Sequence, residues 1–250
     1  MLIFHKIVVN ITLLIALLLH LHKMTLIMEN LLRNLKIYVP EKIYIKDPET
    51  SELGKKIIEQ SIVLIDGIGF ENFTFKKLGS KINSNESSIY RYFESKHKLL
   101  LYLSSWYWAW LEYQLVIETY SVQNNELKLE KAIEVITRTV NKDTNFSHIN
   151  ETLLYKIIIN EGSKSFLTKK VDSENKDGYF VVYKRLITRV TEMILTINPN
   201  YKFALSLAST VLEGGIYQHF LKAHFPTITN AERETNTTLF FTELVKKAIH

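Results

Sequence analysis

Residues that interrupt helices are scarce in this sequence, and this scarcity is the strongest constraint on its fold. The 250 residues include only 8 glycines and 4 prolines, too few for the many turns of an all-β protein. From Leu99 onward the pattern is typical of long helices, with breaks at Asn198-Pro199-Asn200 and Pro226. These helices are expected at residues 96–120, 125–141, 148–171, 177–197, 200–224 and 229–249. The sequence therefore predicts an all-α fold.

The composition narrows the class of protein further. Hydrophobic residues make up 46% and charged residues 23% of the chain, which is typical of a globular protein with a large core. Cysteine is absent, so disulfides, thiolate metal sites and cysteine nucleophiles are excluded, and a reducing, cytoplasmic location fits. The net charge of +5 permits an anionic partner without requiring one.

The amino terminus carries an apolar run with several interpretations. Ile7 to Leu21 spans 15 residues, fewer than the ~20 that cross a bilayer. A signal peptide has the right charge pattern, but no small-x-small cleavage site follows. Translation from Met24 or Met28, a membrane anchor and a packed helix are the other interpretations. We treat residues 1–46 as an extension, and the intact mass of the native protein distinguishes a late start.

The first helix after this extension has clear signals at both ends. In Asp47-Pro48-Glu49 an aspartate can cap free N–H groups, proline presets φ, and glutamate complements the helix dipole. Apolar residues then recur on one face. Gly67 is expected to end the helix as a left-handed cap.

Three further helices follow at short intervals. Thr74 is expected to cap a second helix over 75–82, and Asn83 to end it in the left-handed region. Ser84 or Asn85 would cap a third helix over 86–93, and Ser95 would cap a fourth helix that begins at Lys96. Short helices joined by a turn of about three residues predict a helix-turn-helix.

The third helix presents a polar face. Ile89 and Phe93 are spaced four apart and should point inward, which leaves Glu86, Ser87, Ser88, Tyr90, Arg91 and Tyr92 on or near the free side. Small hydroxyl side chains let a helix approach base edges, and tyrosine, arginine and Lys96 can bind phosphates. This face predicts a helix that lies in the major groove of DNA.

The span from Gly54 to Leu103 resembles the DNA-binding head of the TetR/AcrR family of bacterial transcriptional regulators. The matching stretches are GKKIIEQSIVLIDGIGFENFTFKKLGSKI and SIYRYFESKHKLLLYL, and the span covers 50 of the 250 residues. The resemblance implies a three-helix head at 47–100 joined to a larger helical regulatory and dimerisation body at 101–250. Two positions depart from the family pattern, because Asn83 replaces a common glycine and Ser84 replaces an apolar residue.

The resemblance also implies which side chains contact DNA. It places Thr74 and Lys77 near phosphates, Lys76 near a base or phosphate, Glu86, Ser87 and Ser88 at base edges, and Tyr90, Arg91, Tyr92 and Lys96 on the backbone. The expected function is a sequence-specific regulator, a repressor released by a small-molecule effector, with no catalytic residues, cofactor or metal.

A homodimer on a palindromic operator is implied as well. In the family the last two helices form the dimer interface, which corresponds here to residues 203–220 and 239–249. The small residues Ala204, Ala208, Gly214 and Gly215 would permit close helix approach. The family body also encloses a small apolar effector, but we interpret most of the aromatic run at Trp106, Trp108 and Trp110 as core and assign no ligand residues.

Patterns that would suit other functions are also present in the sequence, but each has less support than a regulator. Tyr92-x-x-x-Lys96 has the catalytic spacing of short-chain dehydrogenases, but no complete Gly-rich nucleotide turn or parallel-sheet pattern accompanies it. His219 and His224 have no carboxylate at metal-ligand spacing. A membrane-tethered or purely protein-interaction protein would use the apolar run at 7–21.

Overall fold

The computed structural model describes residues 37–140, 148–231 and 234–250. Within these ranges every regular element is helical, so the predicted all-α class is confirmed. The α-helices are α1 (Glu52–Asn72), α2 (Phe75–Ile82), α3 (Glu86–Tyr90), α4 (Lys96–Tyr120), α5 (Asn125–Thr137), α6 (Glu151–Glu161), α7 (Val171–Lys176), α8 (Val181–Ile197), α9 (Ala204–His224) and α10 (Glu234–Ile249). Short 3-10 turns lie at Glu41–Ile43, Pro48–Thr50, Gly162–Ser165 and Pro226–Ile228.

The apolar run at residues 7–21 lies outside the described residues, as do the possible starts at Met24 and Met28. Among the residues that are described, no helix combines the length and the apolar character needed to cross a bilayer.

The first helix differs from its prediction at both ends. Asp47 caps the 3-10 turn Pro48–Thr50, and Ser51 caps α1 by accepting a hydrogen bond from the Gly54 amide. The turn folds back over the helix start so closely that a Cβ on Gly54 would lie 2.1 Å from the Pro48 carbonyl oxygen. Gly67 does not end α1. The left-handed residue is Gly69, with φ of 74°.

The second helix matches its prediction and the third is shorter. Thr74 caps α2, and Asn83 ends it with φ of 55°, so both predictions are confirmed. Asn85 rather than Ser84 caps α3, and this helix ends at Tyr90 instead of Phe93. The chain turns there because Tyr92 and Phe93 are both buried in the head.

The central helix of the body also matches its prediction. Ser95 caps α4, which runs from Lys96 to Tyr120 and so crosses the predicted boundary near residue 100 without a break. The tryptophans of the aromatic run are all buried, which supports their interpretation as core. The Tyr107 ring stacks on Tyr155 with centroids 5.9 Å apart, and burial raises the pKa of Tyr107 well above its usual value.

Most of the later helices are shorter than predicted. The helix expected at 148–171 is α6 followed by the 3-10 turn Gly162–Ser165, and the one expected at 177–197 is α8, which begins only at Val181. The short α7 lies at the junction of these two predicted helices. Gly178 delays the start of α8, because its φ of 88° cannot occur inside a helix. The helices expected at 200–224 and 229–249 begin at residues 204 and 234 and end as predicted.

A buried ion cluster joins α4 to α8. The Glu112 carboxylate, 8% exposed, lies 2.6 Å from Arg189 Nε and 2.7 Å from Arg185 Nε. Burial raises the pKa of Glu112, but hydrogen bonds and charges from the two arginines outweigh it, so the net pKa is lowered. The charged form of this carboxyl group therefore stabilises the folded chain.

We predict that Glu112→Gln lowers the free energy of unfolding at pH 7 by about 1–3 kcal/mol, since it leaves two half-exposed arginines without their partner. A lowered carboxyl pKa gives stability that is present above the unfolded pKa of about 4.3 and lost as pH falls through the folded value. The difference between the variant and the parent should therefore shrink below pH 4. Urea unfolding at pH 7 and pH 3 tests this.

The matched control is Glu243→Gln, which removes a 72% exposed carboxylate paired only with Lys247. It should change the free energy of unfolding by less than about 0.5 kcal/mol. Equal effects of the two substitutions would contradict the role of the buried cluster.

Candidate nucleic-acid interface

The helix-turn-helix is held from behind by apolar residues. Phe75, Leu78 and Ile82 of α2 are buried, as is Ile89 of α3. The turn between them is tight at Gly79, where the Ser84 amide donates to the Gly79 carbonyl at 2.9 Å. A Cβ at this position would lie 2.8 Å from the Ser84 carbonyl oxygen, so only glycine fits without displacement of the backbone.

Most of the residues that the sequence predicts to contact DNA are at least partly exposed in the helix-turn-helix. Thr74, Lys76, Lys77, Ser87, Tyr90 and Arg91 are exposed, and Glu86 and Ser88 are half-buried. These side chains share the surface formed by α2, α3 and the residue that follows α3. We call this set of eight residues the outer face.

Several side chains of this face are held by local hydrogen bonds. The hydroxyls of Ser87 and Ser88 donate to Asn85 Oδ1 at 2.8 and 2.6 Å, and the same oxygen accepts the Ser88 amide. Asn85 therefore caps α3 and also fixes both serines. From the sequence alone, Asn85 is expected only as a possible cap of this helix.

Tyr90 is oriented by contacts within the head. Its side chain is 47% exposed, yet its ring meets Phe75 edge to face with centroids 5.0 Å apart. The hydroxyl donates to Glu86 Oε1 at 3.4 Å. Ring packing on one side and a hydrogen bond at the tip reduce the ordering that binding would require.

The cations of the outer face are held to different degrees. Lys77 Nζ donates to the Asn72 carbonyl at 2.8 Å, close to the end of α1. Lys76 and Arg91 are exposed and lie at the start of α2 and at the end of α3. These two cations are the best placed in the outer face to meet a polyanion.

Two predicted contact residues need correction. Tyr92 is 2% exposed, and its hydroxyl lies 2.8 Å from Ser51 Oγ, so it does not lie on the free side. Lys96 Nζ donates to the carbonyls of Phe70, Glu71 and Phe73 at 3.0, 3.1 and 3.3 Å. Helical spacing in the sequence cannot reveal these contacts of Tyr92 and Lys96, because the chain leaves the helix at residue 91 and the Lys96 side chain turns back toward α1.

Two residues of the body contact the head and were missed by sequence analysis. Glu161 Oε1 accepts the Phe70 amide at 3.0 Å, directly after the left-handed Gly69. Lys164 Nζ lies 2.7 Å from both Glu161 and Glu71. The contacts join residues more than 90 positions apart, and no local pattern indicates them.

Metal chemistry finds no support in the described residues, which contain no group of three His, Asp or Glu side chains able to hold an ion. His219 Nε2 lies 2.7 Å from the Thr137 carbonyl oxygen, and His224 Nε2 lies 2.9 Å from Asn160 Oδ1. Both histidines are thus engaged in ordinary hydrogen bonds.

The small residues of α9 pack against neighbouring helices of the same chain, and their expected place at a dimer contact stays a prediction. A Cβ on Gly214 would lie 2.6 Å from the Phe241 ring of α10, and one on Gly215 would lie 3.2 Å from Thr137. Ala204 and Ala208 are buried. These residues let α9 approach its own neighbours closely.

A helix-turn-helix head with a polar outer face, on a body of long helices, defines a DNA-binding regulator fold. Residues 57–103 match the family described as bacterial regulatory proteins, tetR family. The resemblance seen in the sequence is thereby confirmed for residues 57–103. No curated protein sequence matches the chain.

Solved structures share the fold at low sequence identity. A putative transcriptional regulator from Saccharomonospora viridis in complex with choline aligns with a TM-score of 0.54 and 16% identity, over 78% of this chain and 97% of its own. A regulatory protein of the tetR family from Rhodococcus RHA1 aligns at 0.52 and 14%, over 80% and 96%. AibR in complex with isovaleryl coenzyme A and operator DNA aligns at 0.51 and 14%, over 76% and 97%.

We predict that Gly79→Ala destabilises the chain by about 1–3 kcal/mol, because the added methyl group overpacks the turn against backbone. Gly67→Ala is the matched control, since a Cβ there has nothing within 4 Å and should stabilise α1 by up to ~1 kcal/mol. Urea unfolding of both variants measures the difference. Equal stability of the two variants would contradict the tight turn.

Proposed function

We propose that this chain is a sequence-specific DNA-binding transcriptional regulator, a repressor whose hold on DNA is weakened by a small molecule. The observation that carries the proposal is the outer face, where Ser87, Ser88, Tyr90 and Lys77 are held by hydrogen bonds within the head and Lys76 and Arg91 are exposed beside them. Serine hydroxyls suit base edges, and Tyr90, Lys76, Lys77 and Arg91 suit phosphates. The buried Tyr92 and the capping Lys96 support this face from within the fold.

The complexes of similar folds support the same function. AibR is bound to operator DNA and isovaleryl coenzyme A, and the Saccharomonospora viridis protein is bound to choline. At 14% and 16% identity these ligands are not transferable to this chain. They support a general arrangement in which the head meets DNA and the body holds a small molecule.

A dimer is part of the proposal because one head is weakly charged. Residues 51–100 contain eight lysines and arginines against six carboxylates, and the affinity for DNA rises with each phosphate contact. Two heads double those contacts and would read a palindromic site. Exposed apolar side chains on α9 and α10, including Tyr217, Leu239 and Phe240, are the surface that we assign to the partner copy.

Selection from random DNA duplexes with the full chain should enrich a palindromic sequence. On that duplex, Lys76→Ala and Arg91→Ala should each weaken binding about tenfold near 0.15 M salt, because each removes one phosphate contact per subunit. The slope of log affinity against log salt should fall by roughly two per dimer. Mobility shift over a salt series measures both quantities.

The control for this experiment is Lys202→Ala, which removes an exposed cation between α8 and α9, remote in sequence from the head and outside the ranges assigned to the dimer interface. It should leave affinity and salt slope unchanged, and thermal unfolding should be the same for all three variants. Failure to enrich any sequence, or equal slopes for the head and control variants, would refute the proposed outer face.

The proposed dimer surface can be tested with a separate variant. Tyr217→Glu combined with Leu239→Glu should convert dimers to monomers, because it places four carboxylates in an apolar contact between two copies. Leu127→Glu on α5, where an equally exposed leucine is replaced, is the control. Light scattering after size exclusion gives the mass. A dimeric mass for the double variant would rule out this surface.

A further inference from the structure

The body contains a cavity of about 210 Å³ between α4, the chain after the 3-10 turn Gly162–Ser165, α7 and α8. Its wall includes five aromatic side chains, those of Trp108, Phe166, Tyr179, Phe180 and Tyr183. Trp108 meets Tyr183 edge to face with centroids 5.2 Å apart. The wall is therefore rigid and suited to an apolar ring or a branched alkyl group.

Most of the polar side chains in this wall have hydrogen-bond partners within the protein. The Ser165 hydroxyl donates to the Gly162 carbonyl at 2.6 Å, and Lys184 Nζ donates to Asn175 Oδ1 at 2.7 Å. Ser104 is different, because it is 4% exposed and its hydroxyl has no hydrogen-bond partner among the described residues. A buried hydroxyl without a partner costs about 1–3 kcal/mol, so a hydrogen-bonding group on a ligand would be favoured there.

The charges around the cavity disfavour an ion inside it. Among the described residues that line it, Lys184 is the one with a charge, and it is exposed. Lys98 Nζ donates to the hydroxyl of Tyr179 while lying 3.9 Å from that ring's centroid. Two cations at the wall oppose a cationic ligand. An anion would have to leave water, and the two nearby cations already have partners, Lys184 in Asn175 and Lys98 in Tyr179.

The size of the cavity limits the ligand further. A dry protein cavity of about 150 Å³ holds benzene, so this larger one has room for a ring with one substituent. We propose that the cavity binds an uncharged, mainly apolar molecule of this size that carries a single hydroxyl or carbonyl group, and that its occupancy acts on the head through Glu161 and Lys164. This inference rests on the proposed function.

The route to the head is short and continuous. The cavity wall includes Ser165 and Phe166, which directly follow Lys164. Lys164 bridges Glu161 and Glu71, and Glu161 accepts the Phe70 amide. We call Glu161 and Lys164 the latch. A ligand that displaces Ser165 and Phe166 displaces the latch, and with it the end of α1.

The end of α1 is a place where small shifts matter. Gly69 holds a positive φ, and Phe73 leads directly into the Thr74 cap of α2. The latch therefore contacts residues near the end of α1, just before the helix-turn-helix. Movement there changes the direction of α2 and α3 without unfolding them, which alters how two heads of a dimer fit one duplex.

Cysteine labelling tests the ligand class, because the chain has no cysteine of its own. Val171 lines the cavity, whereas Val181, in the same region of sequence, does not and is exposed. Val171→Cys and Val181→Cys are treated with benzyl, sulfonatoethyl and trimethylammonioethyl methanethiosulfonates, which attach neutral, anionic and cationic groups by a disulfide and release methanesulfinate. Rates are divided by those for free 2-mercaptoethanol.

At Val171→Cys the benzyl reagent should react at least tenfold faster, on this relative scale, than either charged reagent. At Val181→Cys the three relative rates should agree within about threefold, since that site is open to water. An equal or greater relative rate for a charged reagent at Val171→Cys would overturn the uncharged class.

The same adducts test the latch through DNA binding. The benzyl adduct at Val171→Cys should weaken binding to the selected duplex at least tenfold, and dithiothreitol should restore it. With Glu161→Gln and Lys164→Met added, labelling should proceed at the same rate but change affinity less than twofold. Lys202→Met, which replaces an exposed lysine outside the proposed dimer interface, is the matched control and should retain the full response.

The outcomes separate this inference from the function on which it rests. If unlabelled Val171→Cys and the parent bind no duplex, the proposed function fails. If they bind DNA and full labelling leaves affinity unchanged, or the adduct weakens binding equally with and without the latch, the inference is overturned. The benzyl adduct at Val181→Cys should leave affinity unchanged, which excludes a general effect of the label.

Discussion

The ammonium group of Lys96 is the contact on which the position of the head depends. It donates to three main-chain carbonyls, those of Phe70, Glu71 and Phe73, at the end of α1, where carbonyl groups lack helical partners and the helix dipole is negative. Lys96 is also the first residue of α4, whose later turns form the core of the body. One side chain thus joins the end of the first head helix to the helix that carries the body.

This contact changes how the motif at residues 88–96 is understood. Tyr92 and Lys96 appear from their spacing to belong to a DNA-contacting surface, yet one is buried against Ser51 and the other caps α1. The stretch therefore builds the scaffold of the head. The outer face that we propose for DNA is made instead by the side chains of α3 and Arg91, which precede Tyr92, and by the side chains of Thr74 and α2 that do not pack in the core.

The sequence predicts correctly those helix ends that are fixed by contacts between residues close together in the chain. Thr74, Asn83 and Ser95 act through atoms within a few residues, so the limits of α2 and the start of α4 could be predicted from the sequence. The start of α1 depends on the close approach of Gly54 to Pro48, and the contact between body and head depends on pairs more than 90 residues apart. Neither leaves a periodic pattern, and the burial of Tyr92 follows from the same long-range packing.

The contacts of the latch set how strongly a ligand in the cavity could change the affinity for DNA. Lys164 is 38% exposed, and water competes for its hydrogen bonds, although Glu161 and then Glu71 raise its pKa and keep it charged. Coupling between two sites in proteins is commonly 5- to 150-fold in affinity. A latch of one lysine and one half-buried glutamate belongs at the lower end of that range in each subunit. In the dimer that we propose, two subunits on one palindrome would multiply the effect, so a modest local contact would be sufficient to release DNA.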